Sequence, residues 1–298
     1  MLENKLKNYL HLHFIVFIWG FTAILGKLIS IDAIPLVWYR MGLAVVFILG
    51  YFLVTKKKFK ADKKGLLKFF LTGIIIALHW VTFFKAIKVS NVSVALVMMS
   101  TGAFFTSLLE PIFFKRKLKL VEILLGLLVI FGLYIIFNFE SRYVEGIIYA
   151  LISSFLSALF SVLNGLFVKE YKPEVISFYQ LLFGVLGITV FLFFTQSFTA
   201  EFFQLQTTDW VYLLILSSFC TAYAFIASVH VMKYITPYTV MLTINLEPIY
   251  AIVLALLIFG ETEQMNPAFY YGALIVLSTV LINGILKNKS KFIKKNKQ

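Results

Sequence analysis

The segment AIKVSNVSVALVMMSTGAFFTSLLEPIFFKR, Ala86–Arg116, has a counterpart 145 residues later in VMKYITPYTVMLTINLEPIYAIVLALLIFGE, Val231–Glu261. Both segments run from a lysine through a short turn into a long apolar stretch that contains a Glu-Pro pair. An internal repeat of this kind predicts a chain made of two related halves, residues 1–140 and 141–298. The residues that pair at this offset include Lys88 with Lys233, Val97 with Leu242, Ser100 with Asn245, and Phe105 with Tyr250.

Composition places the chain in a membrane. The 298 residues are 61% hydrophobic, 17% aromatic and 14% charged, whereas soluble domains are about 45–50% apolar and about 25% charged. A globule of this size could not bury so much apolar surface, so lipid must cover the remainder. This excludes a secreted, cytosolic or disordered protein.

Ten apolar stretches reach the length of about 20 residues that crosses a bilayer as a helix. They are continuous runs, without the alternation of an outer-membrane barrel, and therefore predict helices. We predict an all-α integral membrane protein with ten transmembrane helices, five in each half. The predicted spans are 10–29, 34–54, 66–87, 92–114, 120–138, 146–168, 174–195, 210–232, 237–259 and 268–286.

Basic residues predict the orientation of these spans. With the N-terminus inside, 21 of the 27 Lys and Arg residues fall on the inner side, so both termini are expected in the cytoplasm. Five spans per half then make the two halves inverted repeats. Most of the net charge of +13 is thus explained by the topology of the chain. The basic residues on the inner side would also be attracted to the anionic lipids of the inner leaflet. Nucleic-acid binding is therefore not expected. The expected location is a bacterial inner (plasma) membrane.

Several short motifs recur in a fixed order on these spans. They are Trp19-Gly20 followed by Gly26-Lys27, Pro35 with Arg40, FKAIKVSNVSVAL from Phe84, and EPIYAIVLALLIFGE from Glu247 to Glu261. Together they resemble the drug/metabolite transporter superfamily, and within it the EamA-type transporters with ten helices. The first half departs from that pattern, because Ala103 and Arg116 stand where the family has a proline and a glutamate.

The resemblance implies a secondary transporter that works without ATP by alternating access. Its expected role is the export or exchange of amino acids or related small amphipathic metabolites. The resemblance also implies a central cavity built from helices one, three, four, six, eight and nine.

Glu247 is the first candidate for a substrate site. It lies about ten residues into its span, near the midplane, where an ionisable group costs roughly 2.5–3.5 kcal/mol to insert. It could bind a substrate ammonium, couple transport to protons, or be a protonated structural residue. Glu110 has the same proline neighbour but lies near the inner end of its helix, where it can snorkel or pair with Lys115.

Other candidates are aromatic or polar groups at similar depth, since small-molecule sites are mostly apolar with a few placed polar groups. A hydrogen-bonded packing role is the alternative for each of them. The candidates are His79, Trp80 and Phe83 in the third span, the repeat partners Ser100 and Asn245, Tyr179 in the seventh span, Tyr223 in the eighth, and Trp19 in the first.

Four cations do not follow the inside bias: Lys27, Arg40, Lys85 and Lys88 are expected near the outer ends of the first three helices. Snorkelling and pairing with helix dipoles explain such positions. A basic outer vestibule that influences the release of carboxylate-bearing substrates is the functional alternative.

Small residues recur every fourth position in the sixth span, at Ser153, Ser157, Ser161 and Gly165. This stripe predicts close packing with another helix rather than a polar cavity wall.

Motifs for other chemistry are missing from the sequence. The segment GFTAILGKL from Gly20 has five residues between its glycines where a phosphate loop has four, and Leu28 replaces the required Ser or Thr. There is no H-E-x-x-H motif and no nucleophile elbow. We therefore expect no cofactor, no metal and no enzymatic activity.

Alternative functions remain open at this stage. Within the superfamily they are a multidrug carrier and a nucleotide-sugar carrier, although Glu247, Trp80 and Phe83 count against sugar nucleotides. Outside it they are a membrane-embedded enzyme acting on lipid and a scaffold that transports nothing. Substrate, coupling ion, direction and oligomeric state are left open by the sequence.

Overall fold

The architecture is helical throughout the part of the chain that the structure describes. A computed structural model describes residues 2–115, 117, 120–244 and 246–295. A π-helix, Ser218–Tyr223, joins α9 to α10. The α-helices are α1 Leu2–Leu28, α2 Ala33–Thr55, α3 Lys63–Val89, α4 Val92–Met99, α5 Gly102–Phe113, α6 Leu120–Phe139, α7 Val144–Phe167, α8 Pro173–Phe194, α9 Thr207–Ser217, α10 Ala224–Val231, α11 Pro237–Ile244, α12 Glu247–Phe259 and α13 Pro267–Lys295.

Eight helical segments of the described chain are long and apolar enough to cross a membrane. They are Leu6–Leu28, Ala33–Thr55, Lys63–Val89, Val92–Phe113, Ser141–Phe167, Pro173–Phe194, Thr207–Val231 and Pro237–Glu263. The fifth and tenth predicted spans fall on α6 and α13, in which the apolar stretches among the described residues are Ile123–Asn138 and Pro267–Thr279. The protein is therefore an all-α, multi-pass membrane protein, and the number of ten spans stays a prediction.

The outer surface of the bundle is apolar, as lipid contact requires. Large side chains such as Phe193, Phe194 and Leu257 are 70%, 78% and 77% exposed. Because water cannot hydrogen-bond the backbone inside a bilayer, a helix, which satisfies its own N–H and C=O groups, is the structure these runs adopt.

Local sequence sets where several helices begin. The Asp62 carboxylate accepts the N–H of Gly65 at 3.0 Å, and the Asn91 side chain accepts the N–H of Val94 at 2.8 Å. These are N-caps for α3 and α4, since each satisfies a backbone donor that the first turn leaves unpaired. Pro173 occupies the first turn of α8, where a missing N–H is tolerated.

Two spans are interrupted at matching positions. The first half has a break between α4, which ends at Met99, and α5, which begins at Gly102; the second half has one between α11, which ends at Ile244, and α12, which begins at Glu247. Each pair of boundaries differs by 145 residues, the offset of the repeat in the sequence. The helix bounds thus match between the two halves, and Asn245, between α11 and α12, lies outside the described residues.

Glycines bring helices of the two halves into close contact. A Cβ atom on Gly73 of α3 would lie 2.5 Å from the carbonyl oxygen of Gln180 in α8, and one on Gly184 would lie 2.9 Å from the carbonyl oxygen of Gly73. Gly132 of α6 and Gly272 of α13 approach each other in the same reciprocal way, at 3.0 and 2.9 Å. Larger residues would push these backbones apart.

Contacts between helix ends show which of these ends lie together in the bundle. After α1, the N–H of Ser30 donates to Asp209 in the first turn of α9 at 2.8 Å. At the other end, Lys68 in α3 meets Glu170, which follows α7, at 2.6 Å. The end that carries the lysine-rich loop 56–62 is called the basic end below, and the end with Ser30 and Asp209 is called the opposite end.

Candidate functional site

A central cavity lies between the helices of the two halves. The space open to the centre of a water molecule is about 70 Å³, several times the ~10–15 Å³ that one water needs. Two charged residues, Arg40 and Glu247, line it. Its aromatic lining consists of Trp19, Trp80, Phe83, Phe160 and Phe225.

The cavity extends from the middle of the bundle toward the basic end. Its wall includes Asn164 in the last turn of α7 and Met232 directly after α10. Val240, in the first turn of α11, also contributes. All three positions lie at the basic end, so the cavity approaches that surface.

Arg40 is a fully buried cation at the cavity. Its side chain is 1% exposed, and its Nε donates to the hydroxyl of Thr221 at 2.7 Å. The guanidinium lies over the ring of Trp80, 4.0 Å from its centroid, and 5.4 Å from that of Phe84. Its Nη1 has no hydrogen-bond partner among the described residues.

Glu247 is the negative counterpart of Arg40. It is the first residue of α12, where the helix dipole favours an anion. The carboxylate interacts electrostatically with Arg40 across the cavity, yet within the described chain no N–O contact of 4.0 Å or less joins the two. An acidic and a basic side chain therefore face one cavity without forming an ion pair.

His79, in α3, forms hydrogen bonds with Ser153 in α7. Its Nδ1 lies 2.9 Å from the carbonyl oxygen of Ser153, and the Ser153 hydroxyl donates to the carbonyl of His79 at 2.9 Å. A carbonyl oxygen can only accept, so Nδ1 carries a proton and donates it to Ser153.

The π-helix shapes the wall near Arg40. Its wider turn lets the carbonyl of Cys220 accept the indole N–H of Trp19 at 3.1 Å. The Thr221 hydroxyl donates to the carbonyl of Leu216 at 2.7 Å, which leaves its oxygen directed at Arg40. Single π turns inside α-helices are frequent at functional sites.

The structure brings five of the predicted site residues together and places three others elsewhere. Glu247, His79, Trp80, Phe83 and Trp19 line the cavity. Asn245 lies outside the described residues.

The other three residues, Ser100, Tyr179 and Tyr223, do not line the cavity. Ser100 lies at the break after α4, and its hydroxyl donates to the carbonyl of Leu96. Tyr179 stacks between Phe69 and Phe183. Tyr223 is 41% exposed, and its hydroxyl meets His11 Nε2 at 2.9 Å.

Sequence reasoning missed Arg40 as a cavity residue: it expected Arg40 near the outer end of its helix, explained by snorkelling and dipole pairing or, alternatively, as part of a basic outer vestibule. The signal was available, since an arginine eight residues into α2 is an ionisable group inside a span. The stripe of small residues in α7 was predicted to pack against another helix, and this is true of only part of it. Gly165 does pack against Pro237, but Ser157 and Ser161 line the cavity.

Within the described chain, no group of three or more His, Cys, Asp and Glu residues is arranged to hold a metal ion. The polar groups around the cavity are suited to binding an organic solute: a guanidinium, a carboxylate, an imidazole and several hydroxyls.

Comparison with known proteins identifies the family. The sequence profile of the EamA-like transporter family matches the chain twice, over residues 7–138 and 144–285. The chain belongs to this family. The EamA-like transporters are part of the drug/metabolite transporter superfamily, so the resemblance noted in the sequence is confirmed, and the protein is a membrane transporter.

Similar proteins are also described as transporters. An uncharacterized transporter of Clostridium kluyveri is 25% identical over 270 residues, which cover 84% of this chain and 85% of the relative. The uncharacterized transporter YxxF of Bacillus subtilis is 22% identical over 246 residues, 80% of this chain and 77% of the relative. A crystal structure of a protein with 13% identity aligns with a TM-score of 0.68 over 94% of this chain and 98% of that chain, which shows that the fold is shared.

The opposite end of this EamA-like transporter is closed by buried carboxylates. Glu263 accepts the N–H groups of Val92 and Ser93 at 3.1 and 2.9 Å. Asp209 accepts both the N–H and the hydroxyl of Ser30. These carboxylates are 0% and 1% exposed, and neither of them lines the cavity.

Proposed function

We propose that this EamA-like transporter is a secondary carrier that exports small amphipathic metabolites, amino acids among them, by alternating access. It uses no ATP. In this proposal ten helices form two inverted five-helix repeats, residues 1–140 and 141–298, in a bacterial inner membrane, and the basic end faces the cytoplasm.

The unpaired opposite charges in one cavity carry the proposal. A buried guanidinium without an anion is costly, and Arg40 and Glu247 face the same space without an ion pair. A solute with both a negative and a positive group would satisfy both residues, and its apolar part would contact the aromatic wall.

The architecture supports alternating access. Helices that are interrupted near the midplane in both halves are typical of carriers built from inverted repeats, and the breaks after α4 and α11 are 145 residues apart. The cavity approaches the basic end while Glu263 and Asp209 close the opposite end. In the proposed orientation a solute would enter such a cavity from the cytoplasm.

Exchange in proteoliposomes tests the proposal. Vesicles that contain the purified transporter and unlabelled leucine or phenylalanine should accumulate the labelled amino acid well above protein-free vesicles. The uptake should not require ATP. Absence of exchange with every amino acid tested would contradict the proposed substrates.

Glu247 can couple transport to protons or bind the solute ammonium. If it titrates during the cycle, Glu247→Gln should abolish the pH dependence of exchange. Unchanged pH dependence would remove Glu247 from proton coupling and leave ammonium binding as its role.

A multidrug carrier of lipophilic cations is the second candidate. The aromatic rings of Trp80, Phe83 and Phe225 together with Glu247 favour such ligands. Arg40 counts against them, because its guanidinium already lies over the face of Trp80 and would repel a second cation.

A further inference from the structure

We propose that Arg40 is the carboxylate-binding residue of this transporter and determines its preference for solutes with a carboxylate over the corresponding amines. The inference rests on the proposed function, since it concerns the same cavity. It adds the group that recognises the acidic part of the solute.

The first support is the incomplete set of hydrogen bonds around the guanidinium. Only the Nε atom is engaged, by the Thr221 hydroxyl at 2.7 Å, and the buried Nη1 has no partner within the described chain. Arg40 is 1% exposed and lines the cavity. A buried N–H donor without an acceptor is costly, so the residue is suited to receive an anion from the cavity.

The second support is that Arg40 is held in place before any solute arrives. Trp80 covers one face of the guanidinium at 4.0 Å, and Thr221 is itself fixed by its hydrogen bond to Leu216. A planar guanidinium fixed in this way presents donors in the fork geometry that matches a carboxylate. Thr221 is therefore a positioning residue.

The third support concerns the nearby anion. Glu247 faces the same cavity but forms no ion pair with Arg40 within 4.0 Å. If the role of Arg40 were only to neutralise Glu247, the two side chains would be expected in direct contact. Their separation leaves Arg40 available for the carboxylate of the solute and Glu247 available for an ammonium.

The test uses three solutes that share one ring: phenylalanine, 2-phenylethylamine, which lacks the carboxylate, and 3-phenylpropanoate, which lacks the ammonium. Binding to the full-length transporter in detergent is measured by calorimetry. The decisive quantity is the ratio of the affinities for phenylalanine and for the amine. Because both are measured on one preparation, the ratio does not depend on the fraction of folded protein.

The wild type should favour phenylalanine over the amine by at least about tenfold, the value of one charge-assisted contact. Arg40→Gln should bring the ratio close to one and abolish binding of 3-phenylpropanoate. Arg40→Lys should retain part of the preference, because a lysine keeps the charge and loses the fork. Thr221→Val should lower the ratio less than Arg40→Gln.

Lys85→Gln is the matched control, since it also removes one cation from the first half but from a side chain that does not line the cavity. Its ratio should equal that of the wild type. An unchanged ratio in both Arg40→Lys and Arg40→Gln, or an equal fall in Lys85→Gln, would overturn the assignment of Arg40.

The outcomes separate this inference from the proposed function. If the wild type exchanges amino acids in proteoliposomes but binds the amine equally well, the role of Arg40 is wrong and the carrier function stands. If the wild type neither binds nor exchanges any of the three solutes, both are overturned.

Discussion

The two ends of the bundle are held by similar contacts in different surroundings. At the opposite end, Lys27 meets Glu263 at 2.7 Å, and the Glu263 side chain is fully buried. At the basic end, Lys68 meets Glu170 at 2.6 Å, but the two side chains are 24% and 56% exposed. Water screens the second pair, so ion pairs of almost equal length contribute very differently to stability.

Glu110 and Glu263 each accept hydrogen bonds from the first turn of a helix. Glu110, in the last turn of α5, accepts the N–H of Tyr238 at the start of α11 at 2.8 Å. Glu263 accepts the N–H groups of Val92 and Ser93 at the start of α4. Each half therefore supplies a carboxylate that caps an interrupted helix of the other half, one at each end of the bundle. Opening either end must separate such a carboxylate from its helix.

The largest effect is expected from Glu263→Gln. The amide loses the ion pair with Lys27 and directs an N–H group toward backbone donors, so the free energy of unfolding should fall by about 3–5 kcal/mol. Thermal unfolding in detergent measures the change as a lower Tm.

Glu261→Gln is the control for that substitution. Glu261 is exposed, and its replacement should change stability by no more than about 0.5 kcal/mol. Equal losses in the two variants would contradict the role of Glu263. Glu263→Gln should also favour conformations that are open at the opposite end, detectable as faster labelling of a cysteine at Ser161 from that side in a Cys220→Ser background.

A smaller effect is expected from Glu110→Gln. It weakens the hydrogen bond to the N–H of Tyr238 at the basic end, where the cavity already approaches the surface. A loss of about 1–3 kcal/mol is typical of a hydrogen bond to a charged group. Labelling of the same Ser161 cysteine from the basic side should become faster. A larger Tm loss than in Glu263→Gln would reverse the comparison between the two ends.

The exposed ion pair Lys68–Glu170 should contribute less to the free energy of unfolding than Glu263 or Glu110. A double-mutant cycle of Lys68→Gln and Glu170→Gln is expected to give a coupling energy of about 0–1 kcal/mol, which falls with added salt. A coupling energy as large as the loss in Glu263→Gln would show that burial does not explain the difference between the ends.

The smallest effect on stability is expected from removing the hydrogen bond that the Tyr171 hydroxyl donates to Asp62 at 2.8 Å. Both residues lie outside the membrane spans. This bond lowers the pKa of Asp62 and raises the pKa of Tyr171 to about 12. The contribution of Asp62 to stability is present above its unfolded pKa and is lost as pH falls through the lower folded value. The contribution of Tyr171 is present below pH ~10, its unfolded pKa, and is lost as pH rises toward about 12.

Tyr171→Phe should therefore lower Tm slightly near pH 7, and its difference from the wild type should shrink at both acid and alkaline pH. Thermal unfolding across this pH range measures the difference. Tyr234→Phe, at another exposed tyrosine near the basic end, is the control and should follow the wild type throughout. A difference for Tyr171→Phe that does not vary with pH would contradict the linkage.

Much of the fold could be predicted from the sequence because it depends on local properties. Eight of the ten predicted spans are present at full membrane length, since the length of an apolar run is enough to predict a spanning helix. The sequence did not predict the breaks after Met99 and Ile244, although these positions are separated by the 145-residue offset of the repeat. The fifth and tenth predicted spans fall on α6, Leu120–Phe139, and α13, Pro267–Lys295.

The candidate site could be predicted only in part. Depth along a span indicated Glu247, His79 and Trp80, which line the cavity. Depth equally indicated Ser100 and Tyr223, which do not, because depth does not reveal which face of a helix meets the cavity. The segment Ser218–Tyr223 is a π-helix, and such a turn rotates the residues that follow.

The sequence by itself determined that this protein is a bundle of membrane helices, and it predicted two related halves and a carboxylate at mid-depth. It did so because hydrophobic length, charge position and internal repetition are properties of the linear chain. Only the tertiary structure decided that Arg40 belongs beside Trp80 and faces Glu247. That arrangement joins α2, α3 and α12, and the packing of helices distant in sequence depends on contacts between their surfaces.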